Sequence, residues 1–201
     1  MAAAAVNGMS QPEMAMLPDT KVRFERVALP HLDAAYNLAR WLTRNDEDAA
    51  DVVQDAYLRA LRYFDSFRGD DAGSARVWLL AIVRNTCFSW MEKNRRPEMV
   101  ALEEESLGQD DGAGPRLYEV DTRHDEPESR LLAAADAAML DRAIESLPPV
   151  FREVIVMREL EDLSYKEISG VTGVALGTVM SRLSRGRQLL RQALSQLDRA
   201  A

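Results

Sequence analysis

The segment from Glu98 to Asp136 constrains this chain more than any other. It carries 12 acidic residues against three basic ones, Arg116, Arg123 and Arg130, and Gly108, Gly112, Gly114, Pro115 and Pro127 are scattered through it. Self-repelling charge with so little apolar surface cannot build a core, so residues 98–135 read as an extended, flexible linker. The chain is thereby divided in two. On both sides apolar residues recur at helical spacing, and nowhere do they alternate with a period of two. The expectation is an all-α protein: two small helical domains, 23–97 and 136–201, joined by an acidic flexible linker, with a disordered N-terminal tail over 1–22.

In the first domain, Leu29, Leu32, Ala35, Leu38, Ala39 and Leu42 mark one helix face. Asn45 or Asp46 caps a second helix, whose acidic first turn suits the helix dipole and whose apolar face runs from Ala49 to Phe64. Asp65–Ser74 reads as a loop. A third helix spans Arg76 to about Asn94, apolar at Trp78, Leu79, Ile82, Val83, Thr86, Phe88 and Trp90, and Arg95-Arg96-Pro97 closes it. Helical patterning resumes near Ser129 and breaks at Pro148-Pro149.

The formal charge of -8 over 201 residues speaks against a phosphate-binding surface until it is partitioned. Residues 1–97 sum to 0, 98–136 to -9, 137–163 to -3 and 164–201 to +4. The negative charge therefore sits mainly in the linker, while the C-terminal end is basic. Cys87 is the only cysteine, which excludes an intrachain disulfide and argues against a zinc site; its apolar setting reads as a buried small side chain. His31 and His124 are far apart, and no nucleophile–base set or phosphate-cradling glycine loop is present. No catalysis, metal or cofactor is expected. The Ala-rich N-terminus lacks the basic start of a signal peptide, and the longest apolar run, Val77–Val83, is too short to span a bilayer, so a cytoplasmic chain without membrane insertion is expected.

The basic segment opens with a capping box, in which Ser164 and Glu167 can each satisfy the other's backbone N–H. A short helix follows, Gly173 stands where a left-handed turn residue belongs, and a longer helix runs from about Ala175. At 100° per residue Leu176, Val179, Leu183, Gly186 and Leu190 face inward. Gly177, Thr178, Ser181, Ser184, Arg185 and Gln188 face outward, flanked by Met180, Arg182 and Arg187. Short hydroxyls and arginines on the outer face of a second helix suit the major groove, where Arg reads guanine or holds phosphate. A solvated helix in a bundle has the same pattern, and spacing alone leaves the two readings open.

Six stretches carry a family resemblance: Asp51-Val52-Val53-Gln54-Asp55-Ala56-Tyr57-Leu58-Arg59-Ala60-Leu61, Phe67-Arg68-Gly69, Trp78-Leu79 with Val83-Arg84-Asn85, Leu147-Pro148-Pro149-Val150-Phe151-Arg152-Glu153-Val154, Leu163-Ser164-Tyr165-Lys166-Glu167-Ile168, and Gly177-Thr178-Val179-Met180-Ser181-Arg182-Leu183. In that order and spacing the chain resembles an extracytoplasmic-function (ECF) sigma factor of the sigma-70 superfamily, over about residues 24–97 and 136–195.

The resemblance implies that the first domain binds the β′ clamp helices of core RNA polymerase through Asp51, Gln54, Asp55 and Arg59. It also implies that this domain melts and reads the −10 promoter element through Phe67, Arg68, Arg76, Trp78, Arg84, Asn85, Arg95 and Arg96. The C-terminal helix-turn-helix would read the −35 element through Thr178, Ser181, Arg182, Ser184, Arg185 and Gln188 and touch the β flap, and an anti-sigma partner is expected. Ala75 stands where the family often has an aromatic, and Met180 where it is often basic. Flipping a base out of the duplex requires aromatic and polar groups to receive it, and the loop beside Trp78 is the expected receiver. The acidic linker is a candidate mimic of nucleic acid inside the polymerase channel. A conventional helix-turn-helix regulator, binding duplex DNA without polymerase, is the competing reading; a protein-binding adaptor would need neither the Arg-bearing helix nor the loop and tryptophan.

Overall fold

The computed structural model describes residues 18–69, 71–94 and 127–199. Arg95, Arg96 and all of the linker up to residue 126 lie outside the described residues. Helices α1 (Pro18–Ala28), α2 (Leu32–Thr43), α3 (Asp46–Tyr63) and α4 (Ala72–Lys93) form the N-terminal part. Helices α5 (Pro127–Ser146), α6 (Pro149–Ile155), α7 (Tyr165–Thr172) and α8 (Leu176–Asp198) form the C-terminal part. One π-helical turn, Val156–Leu160, continues α6. No strand occurs among the described residues.

Local chemistry sets most of the boundaries. The Asn45 side chain accepts from the N–H groups of Glu47 and Asp48 at 2.9 and 3.0 Å, which decides between the two expected caps of α3. Asp71 accepts from the Ser74 N–H at 2.7 Å, so α4 starts at Ala72, within the stretch expected to be loop. Pro148 ends one helix and precedes the next. Two other expectations are corrected. Pro18–Ala28 is helical where the tail was expected to reach residue 22, because Phe24 and Ala28 are buried against Phe64 and its neighbours. Leu29 and Leu32 are exposed, since a short 3-10 segment, Leu29–His31, turns α2 so that its inward face begins only at Ala35.

The two helical parts share one core. Ala35, Leu38 and Leu42 of α2, Val52 and Ala56 of α3, and Leu80, Val83 and Cys87 of α4 pack in one cluster with Val154, Ile155, Met157, Ile168, Val179 and Leu183. Helix α4 is buried on most of its circumference, because α3 covers one side and α7 the other. A second, aromatic cluster gathers Phe24, Phe64, Phe67 and Leu79, with Trp78 half-buried beside them.

Burial pushes the Cys87 thiol up to about 12, so almost no thiolate exists at neutral pH. Cys87 is therefore expected to resist a thiol reagent such as Ellman's in the native protein and to react stoichiometrically once urea unfolds it.

Candidate nucleic-acid and polymerase interfaces

The helix-turn-helix forms as its sequence dictates. Ser164 Oγ accepts from the Glu167 N–H at 3.3 Å, and the Glu167 carboxylate accepts from the Ser164 N–H at 2.8 Å, completing the capping box. Gly173 closes α7 at φ 73°, a conformation that costs an L side chain strain and glycine almost none. Ile168, Val171, Val179, Leu183 and Gly186 fix α8 against α7 and α6. The Ser164 hydroxyl, which donates to the same carboxylate at 2.6 Å, and the Ser164 N–H together hold the Glu167 carboxyl below the usual carboxylate range. A depressed acid contributes stability that is fully present above its unfolded value and lost as pH falls through the folded one. Ser164→Ala should therefore cost about 1 kcal/mol near neutral pH, and the loss should shrink on acidification, as urea melts at a series of pH values would record.

Along α8, Thr178, Ser181, Ser184 and Arg185 are exposed and Gln188 half-buried, all on the side away from the core. Arg185 Nη1 donates to Gln188 at 2.7 Å, which pre-orients a guanidinium and an amide together. Leu176 was expected to point inward but is 48 % exposed, and with Met180, 52 % exposed, it places an apolar flank beside the hydroxyls. Arg182 is different: its Nη1 donates to the buried Glu153 of α6 at 3.3 Å, within the C-terminal part.

The −10 candidates are not gathered into one open pocket. Phe67 is buried, stacked at 6.1 Å on Phe64 and tilted at 4.8 Å against Trp78. Its ring is a core element, packed in the aromatic cluster with Phe24, Phe64 and Leu79. Arg68 is exposed and donates to the Asp65 carbonyl at 3.1 Å. Arg76 donates to Glu161 at 2.6 Å. Arg84 donates twice to Glu153, at 2.6 and 3.1 Å, and its guanidinium lies 4.3 Å over the Phe88 ring. Asn85 is exposed next to it.

On α3, Asp51, Gln54 and Asp55 are exposed within one turn of one another, and Arg59 is half-buried a turn further on. Gln54 also lines an open groove of about 670 Å³ between α2 and α3, with Leu32, Tyr36, Val53 and Tyr57 as its apolar walls. This groove was not foreseen. Its signal was Leu29 and Leu32 continuing the apolar stripe past the residues that the core could bury.

Three buried charges were also missed. Arg152 is 2 % exposed and donates to the carbonyls of Ile144, Trp41, Glu145 and Leu147 at 3.2, 3.1, 2.6 and 2.6 Å. Desolvation lowers its guanidinium to about 10, still cationic at neutral pH. Glu153 is fully buried and Glu161 nearly so. Burial pushes Glu153 above the usual carboxylate range against the pull of Arg84 and Arg182. Among the described residues no cluster of three or more potential metal-ligating side chains occurs, and no helix is long and apolar enough to cross a membrane.

A helix-turn-helix with an Arg- and hydroxyl-bearing outer face, packed on a second helical unit with a polar outer helix, defines a two-part DNA-reading transcription factor. The sigma-70 region 2 family model matches residues 28–97, and the sigma-70 region 4 model matches residues 137–190. The ECF RNA polymerase sigma-E factor of Escherichia coli K12 is 36 % identical over 156 residues, 76 % of each chain. The ECF RNA polymerase sigma factor SigE of Mycolicibacterium smegmatis is 35 % identical over 175 residues, covering 86 % of this chain and 62 % of that relative's length. Among solved structures, the sigma factor RpoE in complex with the anti-sigma factor NepR from Bartonella quintana superposes with TM-score 0.59 at 25 % identity, over 89 % of this chain and 98 % of that one. CnrH in complex with the cytosolic domain of CnrY superposes with TM-score 0.56 at 24 % identity, over 88 % of this chain and 90 % of that one. The chain belongs to the ECF sigma factors of the sigma-70 superfamily.

Proposed function

We propose that this chain is the specificity subunit that binds core RNA polymerase and directs it to promoters carrying a matched pair of −10 and −35 elements, with no chemistry of its own. The observation that carries this reading is the order of its parts: a region 2 unit with Asp51, Gln54 and Asp55 exposed on α3, then a region 4 helix-turn-helix with its readers exposed on α8. The polar face of α3 and the adjoining groove suit the β′ clamp helices. On α8, Thr178, Ser181, Ser184, Arg185 and Gln188 meet the −35 element; Arg185 supplies the guanine or phosphate contact and the hydroxyls supply register. Arg68, Arg76, Arg84 and Asn85 serve the −10 side, with Trp78 behind them and the cytoplasm as the working compartment. An anti-sigma factor covering these surfaces is the natural restraint, a reading supported by the sigma factor RpoE of Bartonella quintana having been solved in complex with an anti-sigma factor.

Run-off transcription with purified core polymerase and a promoter library tests the proposal. Core-dependent initiation at a shared sequence pair is expected, and Arg185→Ala should weaken −35 discrimination by about tenfold, the equivalent of 1–3 kcal/mol per good base contact. Tight duplex binding without polymerase, and no initiation with it, would instead identify a conventional helix-turn-helix regulator.

A further inference from the structure

The inward side of α8 is complete without two of its larger apolar side chains. Val179, Leu183 and Gly186 are buried, whereas Leu176 and Met180 stand half-exposed. Residues at this i, i+4 spacing lie one above the other on a helix surface, so the two form a single apolar ridge. Ser184 continues that ridge, and Gly177 and Ser181, both exposed, lie beside it. The apolar pair therefore borders directly on the outward polar face.

Gly177 leaves that border bare. A Cβ placed there would meet no atom within 4 Å, so the missing side chain serves no packing inside the protein, although glycine weakens a helix. Its effect is to let a partner approach the helix backbone next to Met180.

The surroundings select the partner. Helix α8 carries Arg182, Arg185, Arg187 and Arg191 and no acidic residue before Asp198, which suits a polyanion. In the major groove of a duplex one apolar group is on offer, the C5-methyl of thymine. The polar neighbours are already partly engaged: Ser181 donates its hydroxyl to the Thr178 carbonyl at 3.0 Å, and Arg185 donates to Gln188 at 2.7 Å. A methionine thioether has no donor and adds soft surface that adapts over three rotatable bonds. Its place is also right. Leu176 is the first and Met180 the fifth residue of α8, and the opening turns of a second helix are those that meet base edges in a helix-turn-helix.

We propose that Met180, backed by Leu176, is a specificity-determining reader of the −35 element: its side chain packs on the 5-methyl of one thymine. The preferred element then carries an A·T pair at that step, with the methyl turned toward Met180. The proposal rests on the −35 role given above to α8 and adds a contact of a kind that arginine does not make. It predicts selection of thymine over cytosine, the pyrimidine that lacks the methyl.

Deoxyuridine removes that methyl and leaves base pairing intact, which supplies the test. The −35 element is selected from a randomised library with the full-length chain bound to core polymerase, each of its thymines is replaced singly by deoxyuridine, and holoenzyme affinity is measured by competition. At one position the wild type is expected to lose about fourfold, the scale of one buried methyl. There Met180→Ala should bind the thymine and uracil templates equally, and Met180→Leu should keep most of the difference. Residue 180 is exposed and outside the core, so both variants stay folded. If no uracil substitution distinguishes the wild type from Met180→Ala, the methyl contact is overturned. If Met180→Ala also weakens binding to every template regardless of −35 sequence, the ridge meets protein instead, and the proposal falls. A selection that recovers no −35 preference at all overturns the promoter reading by α8, and the methyl contact with it.

Discussion

Arg152→Ala is expected to lower the unfolding free energy by about 3–5 kcal/mol, the scale of losing one partner from a buried charged network. The reason is the number of acceptors that one side chain satisfies. Ile144, Glu145 and Leu147 lie at and just past the C-terminus of α5, where the last carbonyls have no helical partner and carry the negative end of the helix dipole. A single guanidinium serves all three and adds the carbonyl of Trp41 from α2. Truncation would strip a charged donor from four carbonyls, of which Ile144 keeps the Leu147 N–H and Glu145 the Arg44 guanidinium, and would leave a cavity. Arg152→Lys should fall between wild type and alanine, because an ammonium has three donors at one point and cannot span four carbonyls. Urea denaturation of the purified variants measures both, and a loss below about 1 kcal/mol for the alanine variant would contradict this account.

The second large effect is Phe64→Ala, with an expected cost of about 3–5 kcal/mol for emptying a fully buried aromatic site. Phe64 contacts Phe24 edge-on at 5.3 Å, lies parallel to Phe67 at 6.1 Å, and holds Trp78 at 6.2 Å and the Arg23 guanidinium at 5.2 Å. It therefore anchors α1 and positions the Phe67-Arg68-Gly69 turn. Even at temperatures where the variant stays folded, open-complex formation should fall more than binding to a −35 duplex, the split expected of the −10 role proposed for this turn. Equal losses in both assays would mean that Phe64 supports stability alone.

Features legible in the sequence were those encoded within one or two helical turns. The Ser164–Glu167 box, Gly173 and the outer face of α8 each depend on residues three or four positions apart, and the folded chain realises them. Asn45 was readable as a cap for the same reason. What escaped was nonlocal. α1 carries few apolar residues, and its burial depends on Phe64, some forty positions on. Arg152, Glu153 and Glu161 look like the solvated side of an amphipathic pattern, yet their partners are Trp41, Arg84 and Arg76, 111, 69 and 85 residues away. A clue lay in the run Phe151–Met157, where two charges interrupt an otherwise apolar stretch with no room for a polar face. Phe67 shows the same nonlocality: an aromatic beside a loop looks available from the sequence, but in the fold it stacks on Phe64 and tilts against Trp78.

The shared core gives the connecting chain a second meaning. Asn94 ends α4 and Pro127 begins α5, and 32 residues join them. At about 3.4 Å per residue their contour length is about 110 Å, longer than the roughly 85 Å of duplex between the two promoter elements, about 25 base pairs at 3.4 Å each. The tether is thus long enough for the halves to part and reach both elements without strain, with about a quarter of its length to spare. Linker length therefore sets no bar to one molecule reaching both elements.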